Sequence, residues 1–590
     1  MRYLIPLCVM TLGVGITSVS PARAPAERLD ALVQRFIAQE LVRDPTLTYS
    51  TGLPTNDHGR FADRRPLALA AFDAQERADL VQLRAIDPTT LPPAALPTYA
   101  NLKEQLESDL QLRVCRIELW NVNHFDGWLS SFAEVAQQQP VATPAERAQA
   151  IKRWRSVTTY VGVEVANLRL GLAAGYSAPR TVVQRVIKQL DDLVAAAPEA
   201  MPLYSPAARS TDAGFKSTFT QVLTGRIDPA LKHYRDFLAR EYLPRARQGV
   251  AIADLPDGSR CYAAFLRAST TLQRTPQEVF DLGERTVATN VAEATRLAHE
   301  LFGISNSASA NLASSNLDIA TIVRTIKSRP ESHFTSKDEL VSYSQQVLAN
   351  ARRKTASDLV DRMPQQDVVI RPEAGFEEAA GVSSHFVTDP DPARPGIFYI
   401  QLNGWASLSR GEAQITVVHE AWPGHALQKS LARELQPASP MSQLVENPAY
   451  SEGWARYAEA LAEEAGLYSK DALILRRVWP ARGMVVDPGL HAMHWSRQQA
   501  IDYLVSTGRY DAGSANDYVD RMAVMPGQLT SYDSGGLEIR ALRQEAEARL
   551  GAAFNLRQFN HVLLEEGVVP LGELRRHVEN WVSVGVEHRP

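Results

Sequence analysis

The stretch Val418-His419-Glu420-Ala421-Trp422-Pro423-Gly424-His425 combines the residues of a zinc-binding motif with a helix-breaking pair. In the ordinary motif His-Glu-x-x-His, two histidines four residues apart share a helical face and bind one zinc ion, and the glutamate is the general base. Here the histidines are six residues apart, which on a regular helix turns the second side chain by about 240° from the first. Pro423 interrupts helical hydrogen bonding, and Gly424 can take the backbone angles that bring His425 round. We therefore expect a broken or bulged helix.

This stretch alone supports two interpretations. Without the Pro-Gly pair the spacing would be the ordinary one, which favours a zinc site with His419 and His425 as ligands and Glu420 as base. A proline and a glycine together are also typical of a plain helix end. In that case the two histidines would be an unrelated cap residue and loop residue, so the stretch leaves both interpretations open.

A third metal ligand is expected downstream, because a catalytic zinc site takes three protein ligands and keeps one position open. The predicted helix over 448–459 carries Glu452 and Glu459 seven residues apart, on one face. Either carboxylate could bind the metal or orient a ligand histidine. The alternative is a solvated acidic face with Arg456 paired to Glu452. Aromatic neighbours such as Trp454 favour burial.

Two later segments offer donors to an oxyanion. His491 and His494 follow a predicted turn at Pro488-Gly489, and one of them could donate a hydrogen bond. Tyr532 lies between another predicted turn and a helix expected from Glu538, and its phenol is a suitable neutral donor. Structural roles in the core are the alternative for all three side chains.

Other features concern the substrate. Arg521, Arg540 or Arg543 could bind a substrate carboxylate with two hydrogen bonds, although the last two could simply face solvent. Residues 366–371 and 396–402 are predicted strands, since they are rich in β-branched and aromatic residues and bounded by proline and glycine. The second strand precedes the motif and could supply an edge for an extended peptide.

The rest of the chain shows mainly helical periodicity. Apolar residues recur at three- and four-residue steps, as in 31–41, 98–119, 145–173 and 181–196. Residues 275–278 should start a further helix, and 305–315 should form a surface loop. The pattern predicts a mainly α fold with a small sheet beside the motif helix. A helical region over 27–365 and a metal-binding catalytic region over 366–590 should form one integrated unit.

The composition and the N-terminal residues limit the class of protein and indicate its cellular compartment. The 590 residues carry a net charge of −5 and no basic run with interleaved aromatics, which argues against nucleic-acid binding. Residues 1–26 resemble a signal peptide whose apolar run is too short to span a membrane, so we expect a periplasmic or secreted protein without a membrane span in the mature chain. Cys115 and Cys261 could pair, but packing as small apolar residues is the favoured expectation.

Several motifs in one order resemble the bacterial "domain of unknown function 885" family; they are residues 419–428, 450–455, 487–491 and 526–528. The family is similar to helical zinc metallopeptidases. The resemblance implies a two-lobed helical architecture with a deep cleft, His419, His425 and Glu452 as metal ligands, and Glu420 as base. The chain departs from the family at Ala426, at 384–386 and at Arg521-Met522, which concerns substrate preference more than the metal site.

The residues and the resemblance together predict a secreted or periplasmic zinc-dependent peptidase that binds one zinc ion and acts on short oligopeptides. Glu420 would be the general base, and His491 and Tyr532 would stabilise the oxyanion. One alternative is a metal-dependent hydrolase of another amide or ester. A second is a non-catalytic periplasmic binding protein. The sequence specifies neither the oligomeric state nor the bond that is cut.

Overall fold

The computed structural model describes residues 24–302, 318–373, 383–389, 391–435 and 440–587. The chain is mainly α-helical with a small three-stranded sheet, which confirms the predicted fold class. The predicted signal peptide falls almost wholly, and the predicted loop over 305–315 entirely, outside the described residues. Among the helices within them, none combines the length and the apolar character that crossing a membrane requires.

The N-terminal part is built from helices, several of which begin at ordinary capping signals. Pro276 opens a long helix, and the Thr275 hydroxyl accepts from the Glu278 N–H at 3.2 Å, as predicted. The predicted helix over 145–173 is two helices, which meet at Ser156, whose hydroxyl donates to the Arg153 carbonyl at 2.6 Å. The α-helices of this part are Pro25–Arg43, Leu47–Thr51, Pro66–Arg84, Leu96–Leu112, Trp128–Gln138, Pro144–Arg155, Val157–Ala173, Arg180–Ala195, Ser205–Arg209, Ala213–Val222, Asp228–Phe237, Gly258–Thr270, Pro276–Phe302, Ile319–Lys327 and Lys337–Lys354.

The C-terminal part contains the motif segments and is again helical after the sheet. Four helices carry the candidate site, and we call them the first ligand helix (Arg410–Glu420), the second ligand helix (His425–Leu435), the glutamate helix (Pro448–Glu464) and the tyrosine helix (Gln528–Leu550). The remaining α-helices are Pro440–Leu444, Lys470–Leu475, Arg482–His491, Arg497–Val505, Ala512–Val524, Leu556–Glu565 and Leu571–Glu587.

The sheet consists of β1 (Val368–Pro372), β2 (His385–Val387) and β3 (Gly396–Ile400) in the order β1-β3-β2. β1 runs parallel to β3, and β2 runs antiparallel to it. The two predicted strands are therefore present. The expectation that the strand before the motif is an edge strand is wrong, because β3 has a partner on both sides and its backbone groups are used within the sheet.

The hydrophobic cores join the two predicted regions. The largest core packs the sheet against both ligand helices, the glutamate helix and the C-terminal helices. Another core combines helices of the first hundred residues with Met441 and Val445. A polar contact also crosses the chain, where the Asn101 side chain donates to the Val568 carbonyl at 2.8 Å.

Cys115 and Cys261 form a disulfide, with a Cα–Cα distance of 4.7 Å. This corrects the expectation that they pack as separate thiols. Sequence spacing could not reveal the pair, since 146 residues separate the two cysteines and the Gly258–Thr270 helix brings Cys261 back to Cys115.

Removing the disulfide should destabilise the protein. The link constrains a long loop in the unfolded chain, so we expect Cys115→Ser with Cys261→Ser to lower the free energy of unfolding by about 2 to 5 kcal/mol. Thermal unfolding of the oxidised protein and of the double variant measures the loss. Reductant should lower the melting temperature of the wild-type protein and leave that of the variant where it is. Equal melting temperatures of oxidised wild type and variant would contradict the prediction.

Candidate functional site

The Pro-Gly insertion breaks the helix as the sequence predicts. The first ligand helix ends at Glu420, and the second ligand helix begins at His425. The chain reverses tightly between them, where the Gly424 N–H donates to the Val418 carbonyl at 3.1 Å and the Ala426 N–H donates to the Ala421 carbonyl at 3.2 Å. His419 thus closes one helix, and His425 opens the next.

The reversal has no room for a side chain at Gly424. A Cβ atom there would lie 1.9 Å from the His419 carbonyl oxygen and 2.4 Å from that of Val418. The insertion is also fixed to the glutamate helix, because the Trp454 indole N–H lies 3.0 Å from the Pro423 carbonyl oxygen and 3.2 Å from that of Gly424. One tryptophan therefore couples the position of His425 to the helix that carries Glu452.

Gly424→Ala should move His425 out of position. Since the added methyl group overlaps backbone oxygen, the reversal must open, and we expect weaker zinc binding and a free energy of unfolding lowered by several kcal/mol, on the order of 4. Zinc titration and thermal unfolding test this. Gly162→Ala is the matched control, since no atom lies within 4 Å of the position and alanine favours a helix interior. A variant with wild-type zinc affinity would show that the reversal does not place His425.

Three side chains meet at one point beside the insertion. The Nε2 atoms of His419 and His425 lie 3.2 Å and 3.5 Å from the same oxygen, Oε2 of Glu452. One potential ligand atom from each residue lies within 4.8 Å of the other two. The structure therefore brings together the two histidines and the glutamate that the sequence and the resemblance indicate as ligands.

Polar neighbours orient both rings. Nδ1 of His419 lies 2.9 Å from a carboxylate oxygen of Glu459, and Nδ1 of His425 lies 3.4 Å from the Gln428 side-chain oxygen. Each ring consequently turns Nε2 toward Glu452, which is the arrangement that metal-binding histidines commonly have. Glu459 accepts from Arg456 at 2.8 Å, so Arg456 pairs with this carboxylate and not, as in the alternative of a solvated acidic face, with Glu452. Burial opposes charge on His419, but the bonds to Glu452 and Glu459 outweigh it and raise the pKa of His419 to about 10.

Two of the three candidate catalytic residues, Glu420 and Tyr532, line one cavity of about 610 Å³ next to this cluster. Glu420, the last residue of the first ligand helix, and Tyr532 both face it, together with His419. The Tyr532 ring stacks on that of His419 with 6.4 Å between centroids. Burial first, and then the charge of Glu452, raise the pKa of Tyr532 to about 12, which keeps the phenol protonated at neutral pH. Tyr532 lies inside the tyrosine helix and not before it, because that helix already begins at Gln528.

Close packing of two helices places Tyr532. The glutamate helix crosses the tyrosine helix where Gly453 meets Gly535, and a Cβ on Gly535 would lie 1.7 Å from the Ala449 carbonyl oxygen. Small residues at this crossing let the backbones approach and bring the ring of Tyr532 to the cluster of His419, His425 and Glu452.

His491 lies elsewhere and has a different role from the one expected. Its Nδ1 accepts from the Ile252 N–H at 3.0 Å, and its Nε2 donates to the Met522 carbonyl at 3.1 Å. The side chain is 1% exposed and does not line the cavity, and burial lowers its pKa to about 3. Both nitrogens are used by the backbone, so the ring holds helices together and is not free for an oxyanion. The predicted turn before it is instead part of the Arg482–His491 helix; His494 is exposed.

Comparison with known families identifies the chain. A family profile described as "Bacterial protein of unknown function (DUF885)" matches residues 45–578. The chain belongs to the DUF885 family. This confirms the family resemblance drawn from the motifs. No curated protein matches the DUF885 chain significantly.

Two solved structures share the fold of this DUF885 protein. One, described as a lipoprotein from Colwellia psychrerythraea, has a TM-score of 0.84 at 20% identity and covers 95% of this chain and 100% of its own. The other, described as a lipoprotein of unknown function from Shewanella oneidensis, has a TM-score of 0.76 at 18% identity. The match covers 94% of this chain and 99% of the other. Neither description mentions a metal or an activity, so any function must be argued from the site.

Asp487 lies four residues before His491, on the Arg482–His491 helix of this DUF885 chain, and like His491 it is buried and hydrogen-bonded within the core. Its Oδ1 accepts from the Tyr262 hydroxyl at 2.7 Å and from the Gly527 N–H at 2.9 Å, and burial raises its pKa to about 7. The folded pKa lies above the unfolded one, so this group stabilises the fold fully at low pH. Its contribution is lost as the pH rises from about 4 to about 7, by roughly 1.4 kcal/mol per pH unit.

Asp487→Asn should remove this pH dependence while keeping both hydrogen bonds to Oδ1. We expect the variant to gain stability relative to wild type by about 3 kcal/mol between pH 5 and pH 8. Denaturant unfolding at a series of pH values measures the difference. Parallel pH profiles of the two proteins would refute the prediction.

Only one of the three candidate arginines reaches the cavity of the DUF885 site. Arg521 lines it, whereas Arg540 lines a smaller cavity and Arg543 pairs with Glu464 at 2.9 Å. Sequence reasoning missed Arg509, which also lines the cavity. A signal was available, since Arg509 and Arg521 both lie close in sequence to tyrosines, in Arg509-Tyr510 and, one helical turn apart, in Tyr518 and Arg521.

Proposed function

We propose that the protein is a zinc-dependent peptidase that hydrolyses peptide bonds of short peptides. The observation that carries the proposal is that both Nε2 atoms of His419 and His425 approach one oxygen of Glu452 beside a cavity that also contains Glu420. Two imidazoles and a carboxylate are a typical donor set for catalytic zinc, and one of them, His419, lines the cavity. Manganese or cobalt could replace zinc with these ligands.

The local environment fits a metal ion. Glu459 and Gln428 engage the Nδ1 atoms and so leave the two Nε2 atoms as donors. His419, His425 and Glu452 would hold the ion. When bound, zinc would supply Lewis acidity, which polarises a carbonyl group and acidifies water.

The other residues have roles that follow from their chemistry. The Glu420 carboxylate would take the proton of the attacking water and pass it to the leaving amine. The neutral Tyr532 hydroxyl would donate a hydrogen bond to the carbonyl oxygen of the substrate, which becomes the oxyanion when water attacks the carbonyl carbon. The cavity of about 610 Å³ suits short, extended peptides better than folded proteins.

An extracytoplasmic location is part of the proposal. The Cys115–Cys261 disulfide supports it, because such bonds persist in oxidising compartments such as the periplasm. The signal-like sequence at 1–26 points the same way.

Turnover of a library of blocked peptides by the zinc-loaded protein tests the function, with a parallel set of non-peptide amides and esters. Peptide cleavage that stops on metal removal and returns with zinc is the expected result. Cleavage of the esters or other amides alone would favour the alternative hydrolase. Tight peptide binding without any cleavage would favour a binding protein.

A further inference from the structure

The cavity wall carries cationic side chains that differ in their partners. Three of them are neutralised by carboxylates within the protein, in the pairs Lys327–Glu412, Arg456–Glu459 and Arg476–Glu463. Arg509 and Arg521 line the same cavity, yet within the described part of the chain neither forms an ion pair with a carboxylate. The wall therefore presents two guanidinium groups without an ion-pair partner to whatever occupies the cavity.

Arg521 has unused hydrogen-bonding capacity. One of its terminal nitrogens donates to the Gln528 side-chain oxygen at 3.3 Å, while its Nε is buried without a hydrogen-bond partner. Leaving a buried donor of a charged group unpaired costs free energy. The other terminal nitrogen has no hydrogen-bond partner within the described residues and is not buried, so it remains available to an acceptor supplied by a ligand.

Aromatic rings hold both guanidinium groups in place. The Arg509 guanidinium carbon lies 5.4 Å from the Trp479 ring and 5.7 Å from the Tyr510 ring. That of Arg521 lies 5.7 Å from the Tyr518 ring, and the two tyrosine rings are 5.1 Å apart. Stacked guanidinium groups keep their N–H edges available for a planar acceptor such as a carboxylate.

This aromatic and cationic wall lies next to the cluster of His419, His425 and Glu452. The Gln528 side chain lies between Arg521, at 3.3 Å, and the Tyr532 hydroxyl, at 3.5 Å. Tyr532 in turn stacks on His419. Contacts through Gln528 and Tyr532 therefore connect Arg521 to the cluster, and both arginines line the same cavity as His419.

We propose that Arg509 and Arg521 bind a carboxylate of the substrate, so that the cavity selects peptides with a negative charge near the bond that is cut. The inference rests on the proposed peptide hydrolysis and adds the substrate class. The carboxylate has two sources, the free C terminus of a short peptide or an acidic side chain. Both present the planar pair of oxygens that a guanidinium group binds with two hydrogen bonds.

The test measures the affinity of peptides by calorimetry. It uses the full chain carrying Glu420→Gln, so that peptide binding is measured without peptide cleavage. Its probes are Ac-Ala-Ala-Ala with a free C terminus, the same peptide as its amide, and the pair Ac-Ala-Glu-Ala-amide and Ac-Ala-Gln-Ala-amide. We expect an acidic peptide to bind at least about 10-fold more tightly than its neutral match. Preference within the first pair identifies the C terminus, and preference within the second identifies the side chain.

Arg509→Gln with Arg521→Gln should reduce that preference to less than about 3-fold, and Arg521→Lys should reduce it in part, because lysine keeps the charge and loses the two-pronged geometry. Arg155→Gln, on an exposed helix position outside the cavity, is the matched control and should retain the preference. Equal or undetectable affinity for acidic and neutral peptides in the parent protein overturns the proposal, even if both peptides are cleaved by the wild type. Preferential binding without cleavage by the wild type would instead refute the peptidase and leave the carboxylate site intact.

Discussion

Glu420→Gln should lower peptide hydrolysis by about 10² to 10⁴-fold while the protein keeps its metal. Glutamine has the shape of glutamate but cannot accept the proton of the attacking water. Glu420 ends the first ligand helix and faces the cavity, and it is not one of the three residues whose atoms converge as a potential ligand group. The loss should therefore appear in kcat with little change in zinc content or melting temperature.

This prediction is tested by measuring the hydrolysis rate of a cleavable blocked peptide and the zinc content of the variant. Glu199→Gln, an exposed position far along the chain from the motif, is the control and should hydrolyse the peptide at the wild-type rate. Wild-type activity of Glu420→Gln would show that another group is the base. Loss of zinc from the variant would show that Glu420 is itself a ligand.

His425→Ala should lose both zinc and activity. The side chain is 6% exposed, and its Nε2 is one of three potential ligand atoms that converge. Changing a residue that only hydrogen-bonds a metal ligand already costs about 10 to 100-fold in metal affinity, and loss of a ligand itself should cost more. We expect zinc affinity to fall by more than about 100-fold, and hydrolysis to fall with it.

Zinc titration and peptide cleavage assays compare this variant with His233→Ala, a matched control on an exposed helix position of the N-terminal part. The control should match the wild type in both measurements. A His425→Ala protein with wild-type zinc content would contradict the assignment of His425 as a ligand, and with it the role given to the Pro-Gly insertion.

Much of the fold could be predicted because its determinants are local. Helical periodicity and caps such as Thr275 mark the helices, and β-branched runs bounded by proline and glycine mark β1 and β3. β2 was not predicted, since three residues are too few for a periodic pattern. The central position of β3 depends on β2 and so was missed with it.

The part of the candidate site that lies within one motif, with His419 and His425 at a fixed spacing, could be predicted from the sequence. The break before His425 follows from the chemistry of proline and glycine alone. Glu452 and Glu459 share a helical face, so only the packing against His419 tells the potential ligand from the residue that orients the ring. His491 was misassigned because its partners at Ile252 and Met522 are distant in the sequence.

The most direct test of the zinc site is the metal content of the full-length protein purified without chelator, measured by inductively coupled plasma mass spectrometry. We expect close to one zinc per chain in the wild type and in Glu420→Gln, and almost none in His425→Ala. A wild-type protein that carries no zinc, and takes up none when dialysed against micromolar zinc, would contradict the site and the peptidase proposed from it.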